Sequence, residues 1–322
     1  MEHLNPLAWP DALVSSALTP GVRQRFDAGD YVRLISGWYV RSETWLAARR
    51  HERFAWVVAA RTARSSTMTL CGEAALMAMG LPVAGAPERI HVAEASRSRS
   101  GSLPDTFAAR GPRAAELEAA WRPQLHRHQH PYAGTYDTGV FRCVEPLEAA
   151  MEVMTRLSLI RALPVADGLA RWGSELGIGD LEVRLAIDGV AARVRRERAR
   201  LAWDARSSES GSVGESMSRA LILANGFETP VLQVALFDSR GRVGIVDFCW
   251  PGAKIIGEFD GRLKYDGSLG DSRSADQVFG QEKARENRLT ALGYRVVRWG
   301  WADLLHPERL MRLLRAAGVP RH

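Results

Sequence analysis

The stretch Val243-Gly244-Ile245-Val246-Asp247-Phe248-Cys249-Trp250-Pro251-Gly252-Ala253-Lys254-Ile255-Ile256-Gly257-Glu258-Phe259-Asp260-Gly261 decides how the C-terminal third folds. Two apolar runs, each carrying acidic residues, are separated by Pro251-Gly252, the punctuation of a turn between strands. Asp247 falls at the end of the apolar stretch of the first strand. Glu258 and Asp260 are two apart and so share one face of the next. Like charges a few ångströms apart repel by about several kcal/mol at low effective dielectric unless a proton or a cation intervenes. A divalent metal resolves the repulsion, and a set of carboxylates and water selects a hard cation such as Mg²⁺. Mg²⁺ held in this way activates a water and stabilises the charge that builds on a phosphodiester.

Working outward, the pattern predicts a helix over Val213–Ala224 closed by Gly226 and a strand over Val231–Phe237. Strands over Arg242–Cys249 and Lys254–Asp260 follow, joined by the turns at Asp238–Gly241 and Pro251-Gly252. After a polar loop, Gly261 to Ser274, come a helix (Ala275–Leu292), a strand (Tyr294–Trp299) and a last helix (Ala302–Ala316). Short turns make the first three strands an antiparallel meander, and the helical crossover returns the fourth beside them. Ser212-x-x-Glu215 reads as a capping box, although Glu215 also stands where it could join the acidic set. Trp299 and Trp301, flanking Gly300, read as core and corner packing.

This arrangement resembles the PD-(D/E)XK nuclease superfamily and, more narrowly, the very-short-patch-repair-endonuclease-like domains. The likeness is carried by Val246-Asp247-Phe248-Cys249-Trp250-Pro251, Glu258-Phe259-Asp260-Gly261-Arg262, Glu282-Lys283-Ala284-Arg285-Glu286 and Arg295-Val296-Val297-Arg298-Trp299. It implies a restriction-endonuclease-like mixed sheet flanked by helices. It also implies Asp247 and Glu258 as metal ligands and Glu215 as an outer acidic member. Where the superfamily motif carries its lysine this chain has Asp260, and Lys264, four residues on, is the candidate to stabilise developing charge. Lys264 and Lys283 are either solvated surface lysines or contacts to a phosphate.

The first two-thirds is similar to AbiEi-type antitoxins, on Asp30-Tyr31-Val32-Arg33-Leu34-Ile35-Ser36-Gly37-Trp38-Tyr39-Val40 and the Leu70–Pro82 segment. The likeness implies a winged helix-turn-helix that binds an operator, a helical middle and a toxin protein as partner. The residues themselves predict helices over Asp11–Ala17 and from Thr19-Pro20 to Ala28, then a hairpin about Ser36-Gly37. Arg23, Gln24 and Arg25 are the candidate DNA contacts. In the middle, helices are expected over Arg53–Ala63, Thr69–Met79, Glu145–Leu159, Pro164–Arg171 and Gly189–Trp203, and a strand over Arg89–Ala93. His126, His128 and His130 alternate along a strand, a spacing that can bind a transition metal, but without a fourth ligand signal the reading favoured is a solvated edge strand.

The chain has 322 residues, 46% of them apolar and 25% charged, which excludes a disordered, collagen-like or disulfide-scaffold protein. Its formal charge of +6 points toward an acidic partner, nucleic acid first. Most of that excess lies in the run Arg193, Arg195, Arg196, Arg198 and Arg200, around a narrow apolar stripe at Val190, Val194 and Leu201. Three scattered cysteines, Cys71, Cys143 and Cys249, read as reduced and buried. No leader or membrane-spanning run is recognisable, so a cytoplasmic bacterial protein is expected. The sequence therefore predicts an α+β chain with a winged-helix-like unit (1–45), a mixed, mainly helical middle (46–206) and a nuclease-like domain (207–322). Two functions are open. One is Mg²⁺-dependent endonucleolytic cleavage of DNA by Asp247, Glu258, Asp260 and Lys264. The other is a non-catalytic regulator or antitoxin that binds DNA through its N-terminal unit.

Overall fold

Alternating apolar residues on either side of Ser36-Gly37 do form a hairpin. The computed structural model describes residues 4, 6–65, 67–94, 100–129, 132–261 and 275–322, with the backbone alone for 275–282. Lys264 and His130 therefore lie outside the described residues, as do the side chain of Glu282 and nearly all of the loop expected over Gly261–Ser274. The architecture is mixed α+β, in two compact units: residues 1–156 with 172–196, and 157–171 with 197–322. No helix among the described residues is long and apolar enough to cross a membrane.

The first unit opens with strands β1 (Val14–Ser15), β2 (Tyr31–Ile35) and β3 (Trp38–Arg41), an antiparallel sheet in the order β1-β3-β2. Ile35 pairs with Trp38, and Gly37 supplies the positive φ, 90°, that so tight a turn requires. The helix expected over Asp11–Ala17 is absent, and that segment holds turns and β1. Leu13 is buried while Val14 pairs with Tyr39 and packs beside Val22, Phe26 and Tyr31, so the segment is fixed by strand pairing. So short an uncapped segment has little helical stability to oppose it. The next helix, Val22–Asp27, begins after Gly21 and not at Thr19-Pro20.

The middle region carries more strand than its sequence announces. Strands β4 (Thr69–Leu70), β5 (Arg89–Glu94), β6 (Gly101–Ser102), β7 (Gln124–Gln129), β8 (Thr135–Asp137) and β9 (Arg142–Val144) form a sheet in the order β6-β7-β5-β4-β9-β8. Pairs β5/β7 and β4/β9 are parallel and the others antiparallel. The helix expected over Thr69–Met79 gives its first two residues to β4 and starts only at Gly72. Helices Arg50–Arg64 and Pro146–Arg156 contribute apolar faces, including Phe54, Trp56, Val153 and Met154. In the helix Arg193–Asp204 the buried residues are Ala199, Ala202 and Trp203, and the expected stripe residues Val194 and Leu201 are exposed. Alanine leaves little side chain between a helix and what covers it, so the small residues mark the buried face.

The second unit follows its sequence closely. Strands β10 (Val231–Asp238), β11 (Gly241–Trp250), β12 (Ile255–Asp260) and β13 (Arg295–Gly300) lie in sequence order, the first three antiparallel and β13 parallel to β12. One face buries Phe248, Trp250, Ile255 and Trp299 with Leu221, Leu310 and Leu314 from the helices Val213–Ala224 and Pro307–Ala317. The other buries Val243, Val246, Cys249 and Ile256 under Leu289 of the helix Ala275–Ala291. The expected last helix is broken into Trp301–Leu305 and Pro307–Ala317 by His306-Pro307, proline being unable to donate to the preceding turn. Trp299 stacks on Phe248, with its indole N–H donating to Ser218, and Trp301 packs edge-on against Phe259.

Candidate functional site

The acidic residues of the second unit are positioned by three elements: the start of helix Val213–Ala224, the middle of β11 and the end of β12. Phe248 pairs with Gly257, and continuing that register by one residue sets Asp247 across from Glu258. Asp247 Oδ2 accepts the main-chain N–H of Phe259 at 2.9 Å, which ties the two strands together at the site. Phe259 lies over Gly214, where any Cβ would overlap its ring. Glycine at that position therefore lets the helix approach closely enough to bring Glu215 to the sheet.

Glu215 performs the capping role. Its own N–H donates to Ser212 Oγ at 3.2 Å, while its carboxylate accepts from Ser212 Oγ at 2.9 Å and from the Gly211 N–H at 2.7 Å. It also accepts from Gln233 Nε2 at 2.9 Å, and the same amide nitrogen lies 3.5 Å from Asp247 Oδ1. Gln233 thus places a partial positive charge between two carboxylates, from a left-handed backbone at φ 49° that non-glycine residues seldom adopt. Burial, reinforced by the neighbouring charges of Glu215 and Glu258, pushes the Asp247 carboxyl above the ordinary aspartate range despite the Phe259 hydrogen bond.

Glu258 is compensated differently. Its carboxylate meets Arg285 Nη2 at 2.5 Å and Arg298 Nε at 3.1 Å, and Arg298 reaches Glu286 as well at 2.6 Å. Asp260 is exposed two residues further on, and Lys283 is exposed on the helix Ala275–Ala291. The arrangement is an acidic row at the end of a sheet, with Gln233 bridging one half and two arginines gripping the other. Among the described residues these carboxylates do not form a group of three with ligand atoms within 4.8 Å of one another.

Arg23, Gln24 and Arg25 all project from the exposed side of helix Val22–Asp27. Arg25 is engaged by Asp30 at 3.1 Å and lies over the Tyr31 ring. Gln233, Arg285 and Arg298 are the site residues that sequence reasoning missed. Arg298 had a signal, since a parallel fourth strand sets it opposite Glu258. Gln233 had none, because its position depends on an irregular backbone. Comparisons with protein-family models, with curated proteins and with solved structures give no match for this chain.

Proposed function

We propose that the second unit is a Mg²⁺-dependent phosphodiesterase acting on DNA. The observation that carries this reading is the Asp247 carboxylate, half-buried and crowded by Glu215 and Glu258, with the Gln233 amide placed between it and Glu215. Hard oxygen donors suit Mg²⁺, and a cation relieves a crowding that burial makes costly. Asp247 and Glu258 would hold the ion, Glu215 would act from outside them, and Asp260 would orient a water. Bound there, Mg²⁺ supplies Lewis-acid activation of water and neutralisation of the developing phosphorane charge. Arg285 and Arg298, next to Glu258, present guanidinium forks suited to phosphate oxygens, and Lys264 is assigned a similar role from sequence alone.

The test is nicking and linearisation of supercoiled DNA by the full-length chain with Mg²⁺ or Mn²⁺, alongside Asp247→Ala and Glu258→Ala. Cleavage in the wild type that falls at least ~100-fold in both variants supports the proposal. No cleavage under any condition, or equal cleavage in all three proteins, overturns it.

A second reading has two observations in its favour: Glu258 is already paired with two arginines, and Asp260 stands in place of a lysine. In that reading the sheet is a scaffold and the chain is a non-catalytic regulator or antitoxin, with Arg23 and Gln24 meeting DNA. DNA binding without cleavage that is weakened by Arg23→Ala would favour it.

A further inference from the structure

We propose that the first unit holds a transition-metal site of the zinc class, with Cys71, His128 and Glu152 as ligands and His91 as the outer partner that orients His128. The three ligands are distant in sequence and arrive from three elements: the turn after β4, strand β7 and the helix Pro146–Arg156. His128 Nε2 lies 3.5 Å from Cys71 Sγ and 2.9 Å from Glu152 Oε1, and all three ligand atoms fall within 4.8 Å of one another. A tetrahedral ion with metal–nitrogen and metal–oxygen bonds of about 2.0–2.2 Å and a metal–sulfur bond of about 2.3 Å needs edges of roughly 3.3 to 3.6 Å. The Cys71–His128 separation already matches such an edge, and the 2.9 Å between His128 and Glu152 would open by a few tenths of an ångström around an ion.

The backbone makes room for this convergence. Gly72 has φ 55°, and a Cβ there would stand 3.3 Å from Glu152 Oε2, so the turn beside Cys71 is shaped for the carboxylate. In the parallel β5/β7 pairing His91 is opposite His126, and His91 Nδ1 meets His128 Nδ1 at 3.1 Å. A ligating imidazole commonly uses its second nitrogen in this way, fixing tautomer and ring orientation. Arg156 supports Glu152 Oε1 from the outside at 3.1 Å. Histidines that alternate along the sequence thus have distinct duties. His126 turns to Ser102 at 3.2 Å while, of the two that are described, His128 enters the cluster; β7 lies between β6 and β5 and is not an edge strand.

The same three residue types also occur in nucleophilic thiol sites, but the geometry here is wrong for one. Cys71 is fully buried, and both its sulfur and the carboxylate address the same imidazole nitrogen, whereas a relay would use the two ring nitrogens separately. Convergence on one nitrogen is what a shared ion explains. A thiolate and a carboxylate around a dication are neutral together, which favours binding beside the buried Cys71. Sulfur with imidazole selects zinc-class ions over Mg²⁺ or Ca²⁺. With three protein ligands, the fourth position falls to water.

Stripped full-length protein kept reduced and titrated with Co²⁺ alone, then with Zn²⁺ alone, tests the site. One equivalent of Co²⁺ with a thiolate-to-cobalt charge-transfer absorption, displaced by Zn²⁺ and accompanied by a rise in Tm, is the expected result. Cys71→Ser should abolish the absorption. Glu152→Gln, which preserves shape should Cys71→Ser fail to fold, should weaken binding at least 10-fold, and His91→Phe should weaken it ~10–100-fold through its partner. Absence of the charge-transfer band in the wild type, its persistence in Cys71→Ser, or unchanged affinity in folded Glu152→Gln overturns the proposal.

Discussion

The two units carry polar clusters of opposite construction. In the second unit the acids are chemically alike, and each finds a different relief: Glu215 in helix caps, Asp247 in a main-chain amide and Gln233, Glu258 in two arginines. In the first unit a thiol, an imidazole and a carboxylate face one point, with a second imidazole behind them. Like charges have to be spread over many partners, because each brought together raises the cost for the next. Unlike donors can be gathered, because they share protons or an ion. A cluster of the first kind should respond to changes in charge, and one of the second kind to changes in ligand chemistry.

The largest effect expected from breaking a charge arrangement lies at the driest pair of the second unit. Asp167 and Arg219 are bonded to each other with both side chains only 5% exposed, and Asp167 also accepts the Ser207 N–H at 2.8 Å. Arg219→Ala leaves a buried carboxylate without its counter-charge and should cost about 3–5 kcal/mol, read as a shift of the denaturant midpoint. A loss below ~1 kcal/mol would show that relief is as replaceable here as it is in the acidic row. Next comes Gly214→Ala, whose methyl meets the Phe259 ring. Overpacking of this kind costs about 1–3 kcal/mol. If Gly214 serves chiefly to bring Glu215 to the sheet, the same variant should lose any DNA cleavage found for the wild type at temperatures where it is still folded.

The unequal legibility of the two units follows from how each is held. Strands of six to ten residues bounded by turn residues, such as Val231–Asp238 and Gly241–Trp250, show themselves in the sequence as apolar runs. Strands of two or three residues, such as Thr69–Leu70 and Arg142–Val144, are too short to show a period and owe their conformation to neighbours far along the chain. Asp247 and Glu258 were legible because carboxylates are uncommon inside apolar strands, although β11 runs on to Trp250 and Asp247 lies within the strand, not at its end as its sequence suggested. Cys71 and Glu152 were not, since each sits in an ordinary context until the sheet brings them to His128. His128 itself was visible as one of an alternating set, but only three-dimensional placement separates it from His126.

Within the acidic row a smaller effect has the opposite sign from most substitutions. Ionising Asp247 is opposed in the folded protein by burial and by Glu215 and Glu258. A carboxyl whose folded pKa is raised binds its proton more tightly when folded, so its charge subtracts stability at neutral pH. Asp247→Asn should therefore raise stability, by an amount on the order of 0.5–2 kcal/mol read as a rise in Tm, while removing whatever the carboxylate does for a ligand. A fall in Tm would mean that the hydrogen bonds to Phe259 and Gln233 outweigh the repulsion.

Asp238 gives the finest contrast, because it lies on the same sheet with its titration displaced the other way. Arg288 binds it through two bonds of 2.7 Å, and this pairing, with the Arg240 N–H, holds the carboxyl down at about 2. Its folded value lies below the ordinary 3.8, so its contribution is complete above the unfolded value and disappears as pH falls through about 2. Carboxyl carbon shifts followed by NMR should show Asp247 taking up its proton before Asp238 as acid is added. Arg288→Ala should return Asp238 to the ordinary range and leave Asp247 where it was. If both moved together, the row would be a single coupled system, and the division of labour between arginine and amide would have to be abandoned.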